Sequence, residues 1–210
     1  GFIDVDDLWE KNKLKQQIKL FNDEKTIVVY GNLWLKNEKN NKKKKFINYH
    51  VRGGYIYKDL IEKYNVGILT SLIKKSLLKK SKVNFDNKYD IIGDYDFFIR
   101  LSKKYKFQFI KEPVATYRIH QQNLSFLKKE KQIEEFFHWI KKNKKNLTKD
   151  EYLKIMNRIY KLEFINLRLT KSFLYSFFYF VKFIVHIFSL KNIIILLTPS
   201  YILKKFMWFI

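Results

Sequence analysis

Phe2-Ile3-Asp4-Val5-Asp6-Asp7-Leu8-Trp9 places three carboxylates in and just after a short apolar run. Phe2, Ile3 and Val5 read as the end of a buried strand that opens into the acidic cluster. Carboxylates crowded at a strand end repel one another unless a cation or hydrogen-bond donors compensate them, and hard oxygen ligands of this kind suit Mg²⁺ or Mn²⁺ holding a diphosphate. The plainer reading is a solvated acidic turn before a helix. Asp7-Leu8-Trp9-Glu10 has the spacing of a capping box, so Asp7 is assigned as an N-cap, and both readings stay open for Asp4 and Asp6. Leu14, Ile18 and Phe21 then continue one helical face.

Further along, Ile27-Val28-Val29-Tyr30 is a strand buried on both faces, and Asn37 to Lys45 is a solvated loop or hairpin tip. Tyr57 to Tyr64 and Leu69 to Leu78 read as short helical pieces. Asp94 opens a stronger helix with Phe97, Phe98, Leu101 and Tyr105 along one face. Phe107 to Ile110 and Val114 to Ile119 read as two strands separated by Glu112-Pro113. From about Gln122 onward the pattern is helical, including Ile133–Ile140 and Tyr152–Leu169, and no internal repeat is visible.

Composition narrows the function classes. The chain has 210 residues, and its hydrophobic content of 47% lets it bury a core, which excludes global disorder. Without cysteine it carries no disulfide, thiolate-zinc or iron–sulfur chemistry. Neither G-x-G-x-x-G nor G-x-x-x-x-G-K-[ST] occurs, and H-E-x-x-H is also absent. The net charge of +23 is almost all lysine, a bias that A/T-rich coding produces as readily as selection for polyanions. It is unevenly spread. Residues 1–35 hold five lysines against six carboxylates, 36–50 swing basic through Lys42 to Lys45, and 172–210 carry no acid.

In that last stretch Ser172, Tyr175, Tyr179, Lys182, His186 and Ser189 recur at spacings of three and four on an otherwise apolar helix. About 18 residues is the lower edge for a transmembrane span, and a lysine in mid-span is costly in hydrocarbon. The expectation is a helix lying in the membrane surface with that polar stripe in water. Tyr201 to Trp208 repeats the aromatic-plus-lysine theme after Pro199.

Three segments together resemble the second half of family 2 glycosyltransferases of the GT-A fold. Phe2 to Trp9, continuing through Lys13-Leu14 and Gln17, is similar to that family's D-x-D strand and following helix. Gly93-Asp94-Tyr95-Asp96-Phe97-Phe98-Ile99-Arg100-Leu101, with Phe85-Asp86 shortly before it, is similar to the helix carrying the E-D motif. Glu112-Pro113 to Tyr117-Arg118, then His120, Asn123 and Ser125, is similar to the strand closing the catalytic sheet. In one departure, Gly93 stands where the family usually has Glu, which removes a supporting carboxylate.

The resemblance implies an α/β fold: a partial, Rossmann-like GT-A catalytic domain over residues 1–125, a helical region at 126–171, and amphipathic membrane-associating helices at 172–210. It implies transfer of a sugar from a nucleotide-sugar donor to a hydroxyl of a glycan or lipid-linked acceptor, with inversion. Mn²⁺ or Mg²⁺ would be held by Asp4 and Asp6, which also meet the donor, with His120 as a further ligand and Asp94 as the catalytic base. A cytoplasmic enzyme peripheral at the inner face of the cell membrane is expected, with no nucleic-acid partner. Gly1 is preceded by no initiator Met or leader pattern, so an upstream nucleotide-binding half is expected, without which this stretch binds donor poorly. The rival is a non-catalytic basic module on nucleic acid or anionic membrane, built around Lys42–Lys45. It leaves Asp4, Asp6 and Asp94 unexplained.

Overall fold

The computed structural model describes residues 1–120, 123 and 127–206. The chain divides into two compact units, Gly1–Asn123 and Leu124–Ile210. In the first, β1 (Leu8–Trp9), β2 (Thr26–Asn37), β3 (Lys43–Lys45), β4 (Leu72–Ile73) and β5 (Lys106–Ile119) form one sheet of order β1-β5-β2-β3, with β4 also on β2. The long strands β2 and β5 run parallel, from Thr26 opposite Lys106 to Asn37 opposite Ile119. The other pairings are antiparallel, β4 taking the first half of β2 and β3 the second. Ile27, Val28, Val29 and Tyr30 are wholly buried, as a continuous apolar run requires of a strand covered on both faces. Residues 38–42 of the lysine–asparagine stretch are the tip of the β2–β3 hairpin, as expected, but Lys43–Lys45, read with them as loop, form β3 itself.

The helices of this unit are α1 (Lys13–Ile18), α2 (Tyr57–Glu62), α3 (Lys75–Ser81) and α4 (Gly93–Ser102). α4 is anchored by Phe97, Phe98, Ile99 and Leu101, all buried, each such side chain contributing about 1.5–3 kcal/mol on transfer from water. The Phe98 ring meets Phe107 of β5 edge-on at 6.1 Å, which fixes α4 against the sheet.

Several sequence expectations are corrected here. Phe2, Ile3 and Val5 are not in a strand, and all three side chains are exposed. Leu8 and Trp9 do not start a helix: they pair with Thr116 and Ala115 of β5, so Asp7 caps nothing. Glu10, the other half of the supposed capping box, accepts instead from the Thr116 hydroxyl at 3.0 Å. α1 also buries a different face from the one its apolar residues suggest, turned by about 100°. Leu14 and Ile18 are exposed, while Lys13 and Gln17 are buried. Gln17 donates through Nε2 to the carbonyls of Val29 and Thr70, both at 2.7 Å, and Lys13 reaches the Gln17 Oε1 at 2.5 Å. The helix is therefore docked through backbone carbonyls of the sheet and the following loop.

The segment read as helical from Leu69 to Leu78 contains β4 between a 3₁₀ turn at Ile68–Thr70 and α3. The two strands expected around Glu112-Pro113 are one strand with a bulge: the register steps from Gly31 opposite Ile110 to Asn32 opposite Pro113. Pro113 has no N–H to give a ladder, so it sits where pairing is already broken. Asn32 repairs the gap, its Oδ1 accepting from the Leu33 and Ile47 amides and its Nδ2 donating to the Ile47 carbonyl at 2.7 Å.

The second unit is helical, as expected, with α5 (Lys129–Asn143), α6 (Lys149–Thr170), α7 (Phe173–Lys182), α8 (Ile184–Ile187), α9 (Leu190–Leu197) and α10 (Ser200–Phe206). Thr148 and Glu151 close a capping box on α6. Phe164, Leu169, Phe180, Ile187, Ile195, Leu196 and Leu203 make its core. Arg168 is buried with them and donates to the carbonyls of Ile195 and Thr198, groups left open at the end of α9.

The continuous amphipathic helix expected from Ser172 to Ser189 is broken into short pieces, and its polar stripe is split: Tyr175 and Lys182 stay exposed, while Tyr179 and His186 turn inward. Tyr179 donates its hydroxyl to Glu163 at 2.7 Å, and His186 Nδ1 meets Asn157 Oδ1 at 2.6 Å, both on α6. Ser172 and Ser189 are N-caps. The apolar side faces out: Leu174, Phe178, Val185, Phe188, Leu190 and Leu197 are all exposed. Among the described residues, no helix is long and apolar enough to cross a membrane. Met207 and Trp208 lie outside the described residues.

Candidate active site

The pairing of β1 with β5 carries the acidic segment to the C-terminal end of β5. The Asp7 amide donates to the Asp4 carbonyl at 3.1 Å, folding the three acids into one turn. Asp4, Asp6 and Asp7 each offer a carboxylate oxygen, all within 4.8 Å of one another. β5 supplies the compensating donors. The Arg118 amide donates to Asp7 Oδ1 at 3.0 Å, the Arg118 guanidinium donates to the Asp6 carbonyl, and His120 Nε2 lies 2.7 Å from Asp6 Oδ2. Asn123 fixes that histidine, accepting from its amide at 2.7 Å and donating to the Arg118 carbonyl. Ser125 lies outside the described residues.

The carboxylates are not equivalent. The hydrogen bond from His120 holds Asp6 below the usual carboxylate range. Burial, reinforced by the charges of Asp6 and Asp4, pushes Asp7 up to about 6. Asp7 Oδ2 is buried with no hydrogen-bond partner. A buried carboxylate oxygen without a donor, facing two more carboxylates, is the environment a hard cation completes, so the residues present fit a divalent ion. Sequence reasoning assigned Asp7 to a cap and missed it. The signal was there, in a third carboxylate directly after the D-x-D pair.

Asp94 sits in the first turn of α4. Its Oδ2 accepts from the Tyr64 hydroxyl at 3.2 Å and its Oδ1 from the Tyr95 amide at 2.7 Å. The Tyr64 and Tyr95 rings meet edge-on at 5.1 Å, so the donor is itself packed in place. Burial pushes the Asp94 carboxyl up to about 6 despite both hydrogen bonds. Asp96, two residues on, is engaged differently. It is buried and holds Arg100, whose Nη2 lies 2.6 Å from Asp96 Oδ2 and also donates to the Asn84 carbonyl. Asp96 therefore ties α4 to the preceding loop. A side chain at Gly93 would meet nothing within 4 Å of its Cβ, so the backbone there accommodates a larger residue. No sequence signal pointed to Tyr64. It reaches Asp94 only through tertiary packing.

The acidic turn and α4 are joined by a ladder of rings. Phe2 meets Phe85 edge-on at 5.8 Å, and Phe85 stacks on Phe97 at 4.2 Å, one turn beyond Asp94. The family described as glycosyltransferase like family 2 matches residues 1–171. The chain belongs to this glycosyltransferase family. A search of curated proteins finds no match. In this family-2-like glycosyltransferase the fold is the expected one, a GT-A-like α/β sheet with helices, followed by a helical C-terminal region. Family membership implies a nucleotide-sugar donor and an acceptor, and divalent metals are common in the family.

Proposed function

We propose that this glycosyltransferase moves a sugar from a nucleotide diphosphate sugar to a hydroxyl of a cell-envelope glycan or lipid-linked saccharide, inverting the anomeric carbon, with Asp94 as general base. The observation that carries this reading is Asp94 itself, an acid at a helix start held by Tyr64 and brought by burial to about 6. A base poised near neutrality is ionised at pH 7 yet basic enough to take a proton in the transition state. The acceptor oxygen attacks the anomeric carbon as its proton passes to Asp94, and the bond from that carbon to the diphosphate oxygen breaks. Asp4 and Asp6, with Asp7, would hold Mn²⁺ or Mg²⁺, and His120, engaged through Nε2 with Asp6, would orient that carboxylate. Such an ion supplies Lewis-acid neutralisation of the leaving diphosphate. Gly93 leaves Asp94 without the family's neighbouring carboxylate, and the Tyr64 hydroxyl takes over the orienting part. Incubating the protein that carries this chain with a panel of nucleotide-sugars and cell-envelope acceptors should release nucleoside diphosphate in an acceptor-dependent way. Absence of release with every donor would sink the reading.

The second part of the proposal is a membrane surface as the partner of residues 172–210, at the cytoplasmic face. The outward apolar side chains of α7 to α10 support it, because a patch of that kind rimmed by lysine marks an interaction site. Lys182 and Lys191 lie in a segment without acids, and each lysine near an anionic surface adds on the order of 1 kcal/mol. The protein should therefore bind vesicles containing phosphatidylglycerol more tightly than neutral ones, with the preference shrinking in high salt. Indifference to lipid charge would overturn this part. The basic-module alternative gains nothing comparable: Lys45 of the lysine run is occupied by Glu112 at 3.0 Å and by the Trp34 ring.

A further inference from the structure

We propose that a groove among α5, α6 and α7 of the second unit is a binding site for a neutral saccharide, built from residues other than those of the candidate active site. Its volume is about 640 Å³, within the size range of small-molecule sites. Six of its nine lining residues are aromatic, so its floor is made of ring faces. Phe183, directly after α7, stacks on Tyr160 of α6 at 4.3 Å and meets Tyr179 of α7 at 4.7 Å. The rings are therefore held in place before a ligand arrives, which lowers the ordering cost of binding.

The polar groups on these walls are of both signs. Glu163 of α6 accepts from the Tyr179 hydroxyl at 2.7 Å through Oε2. Burial and the Glu163 charge hold the Tyr179 phenol far above its ordinary range, so it stays a donor to that carboxylate. The Lys182 ammonium lies 5.2 Å from the centre of the Phe183 ring. Among the described residues Lys182 has no carboxylate within ion-pair distance, and Glu163 Oε1 and the Tyr160 and Tyr175 hydroxyls make no hydrogen bond to protein. One carboxylate and one ammonium balance, so the groove favours neither an anion nor a cation.

A pyranose matches this arrangement. Its faces carry C–H bonds, whose partial positive charge meets the negative face of an aromatic ring. Its edge carries hydroxyls, which donate to a carboxylate and accept from an ammonium. A hydrocarbon chain would cover the rings as well, but it would strip water from Glu163 and Lys182 and return no hydrogen bond. Tyr175, Tyr179 and Lys182 all belong to the polar stripe of this segment, and their spacing of four and three turns them to one face of α7. Leu174 and Val181 are exposed on a face about 100° away, with Phe178 both exposed and lining the groove. A sugar bound here would lie beside the outward apolar side chains, where the saccharide of a lipid-linked acceptor meets its lipid. The inference rests on the reading of the chain as acting on a glycan acceptor, and not on the roles given to Asp94 or the acidic turn.

Binding, rather than turnover, tests this. Saturation-transfer NMR and calorimetry on the protein that carries this chain would use maltotriose, cellotriose and triacetylchitotriose as neutral probes. At least one should bind at millimolar concentration or below, with saturation passing to its C–H protons. Tyr175→Ala, which removes an exposed ring from the wall, should weaken that binding roughly tenfold. Glu163→Gln replaces a charged acceptor with a neutral one that Tyr179 can still meet, and should also cost roughly tenfold. Val185→Ser, on the exposed apolar side and outside the groove, should bind as the parent does, and so should Asp94→Asn. Failure of all three sugars to bind, binding that survives both groove variants, or binding lost in Asp94→Asn overturns the proposal. Dodecylphosphocholine, below its micelle concentration, binding more tightly than any of the sugars and losing affinity in Tyr175→Ala would make the groove a lipid site and overturn its saccharide character. Sugar binding that is lost in the groove variants, in a protein without transferase activity, would remove the catalytic reading and leave the groove standing.

Discussion

Asp94→Asn should lower kcat by roughly 10²- to 10⁴-fold and also make the folded protein more stable at pH 7. The first effect is loss of a general base. The second follows from the raised carboxyl, at about 6 against an ordinary 3.8. Between those two values the folded state keeps a proton that the unfolded chain has lost, so stability falls as pH rises through the window and stays lower above it. About two pH units at 1.36 kcal/mol each bound the penalty near 3 kcal/mol, and a neutral amide that can still accept from Tyr64 escapes it. We expect a gain on the order of 1–3 kcal/mol in chemical denaturation at pH 7, vanishing near pH 4. The parent enzyme's kcat/KM should fall about tenfold per unit once pH drops below about 6, as the base protonates. Asp96→Asn is the contrast. It should leave kcat nearly unchanged where the protein is folded, and cost on the order of 1–2 kcal/mol by weakening the bond between a buried acid and the half-buried Arg100. Full turnover in Asp94→Asn, or a larger kcat loss in Asp96→Asn, would refute the assignment of the base.

The two acids of α4 also show what the sequence could and could not reveal. Helix α4 was readable because Phe97, Phe98 and Leu101 recur at helical spacing and all point to the core. The buried half of β2 was readable because an unbroken Ile-Val-Val-Tyr run has few alternatives. Where polar side chains do the docking, periodicity misleads. Gln17 is buried because its amide satisfies two sheet and loop carbonyls, and Leu14 and Ile18 are left outside as a consequence. In the tail, two residues of the stripe that looked wet, Tyr179 and His186, bond to α6, while much of the apolar side is left outside. Asp7 failed for a related reason. Asp7-x-x-Glu10 satisfies a local capping rule, but pairing of Leu8 and Trp9 with β5 overrides it and turns both carboxylates to other work. In each case a hydrogen bond distant in sequence decided what a local pattern had suggested otherwise.

Asp7 makes the metal prediction sharper than a chelator experiment alone. An ion at Asp4, Asp6 and Asp7 needs the Asp7 carboxylate ionised, whereas without an ion burial holds it at about 6. Mn²⁺ binding near pH 6 should therefore release protons, and affinity should fall as pH drops through that value. At a hundredfold excess over its Kd the ion should stabilise the fold by about 2.7 kcal/mol. Asp6→Asn should abolish that shift and, because leaving-group neutralisation is worth several kcal/mol in the transition state, cut turnover by at least about 10²-fold. Asp7→Asn should behave differently without metal. It removes a buried charge whose Oδ2 has no partner, so the metal-free fold should gain stability while Mn²⁺ binding weakens. That pairing, more stable empty and less responsive to the ion, separates a ligand from a structural acid, whose loss would destabilise in both states. Undiminished turnover in chelator, or an Mn²⁺ thermal shift that survives both substitutions, would show that the acidic turn holds no catalytic ion.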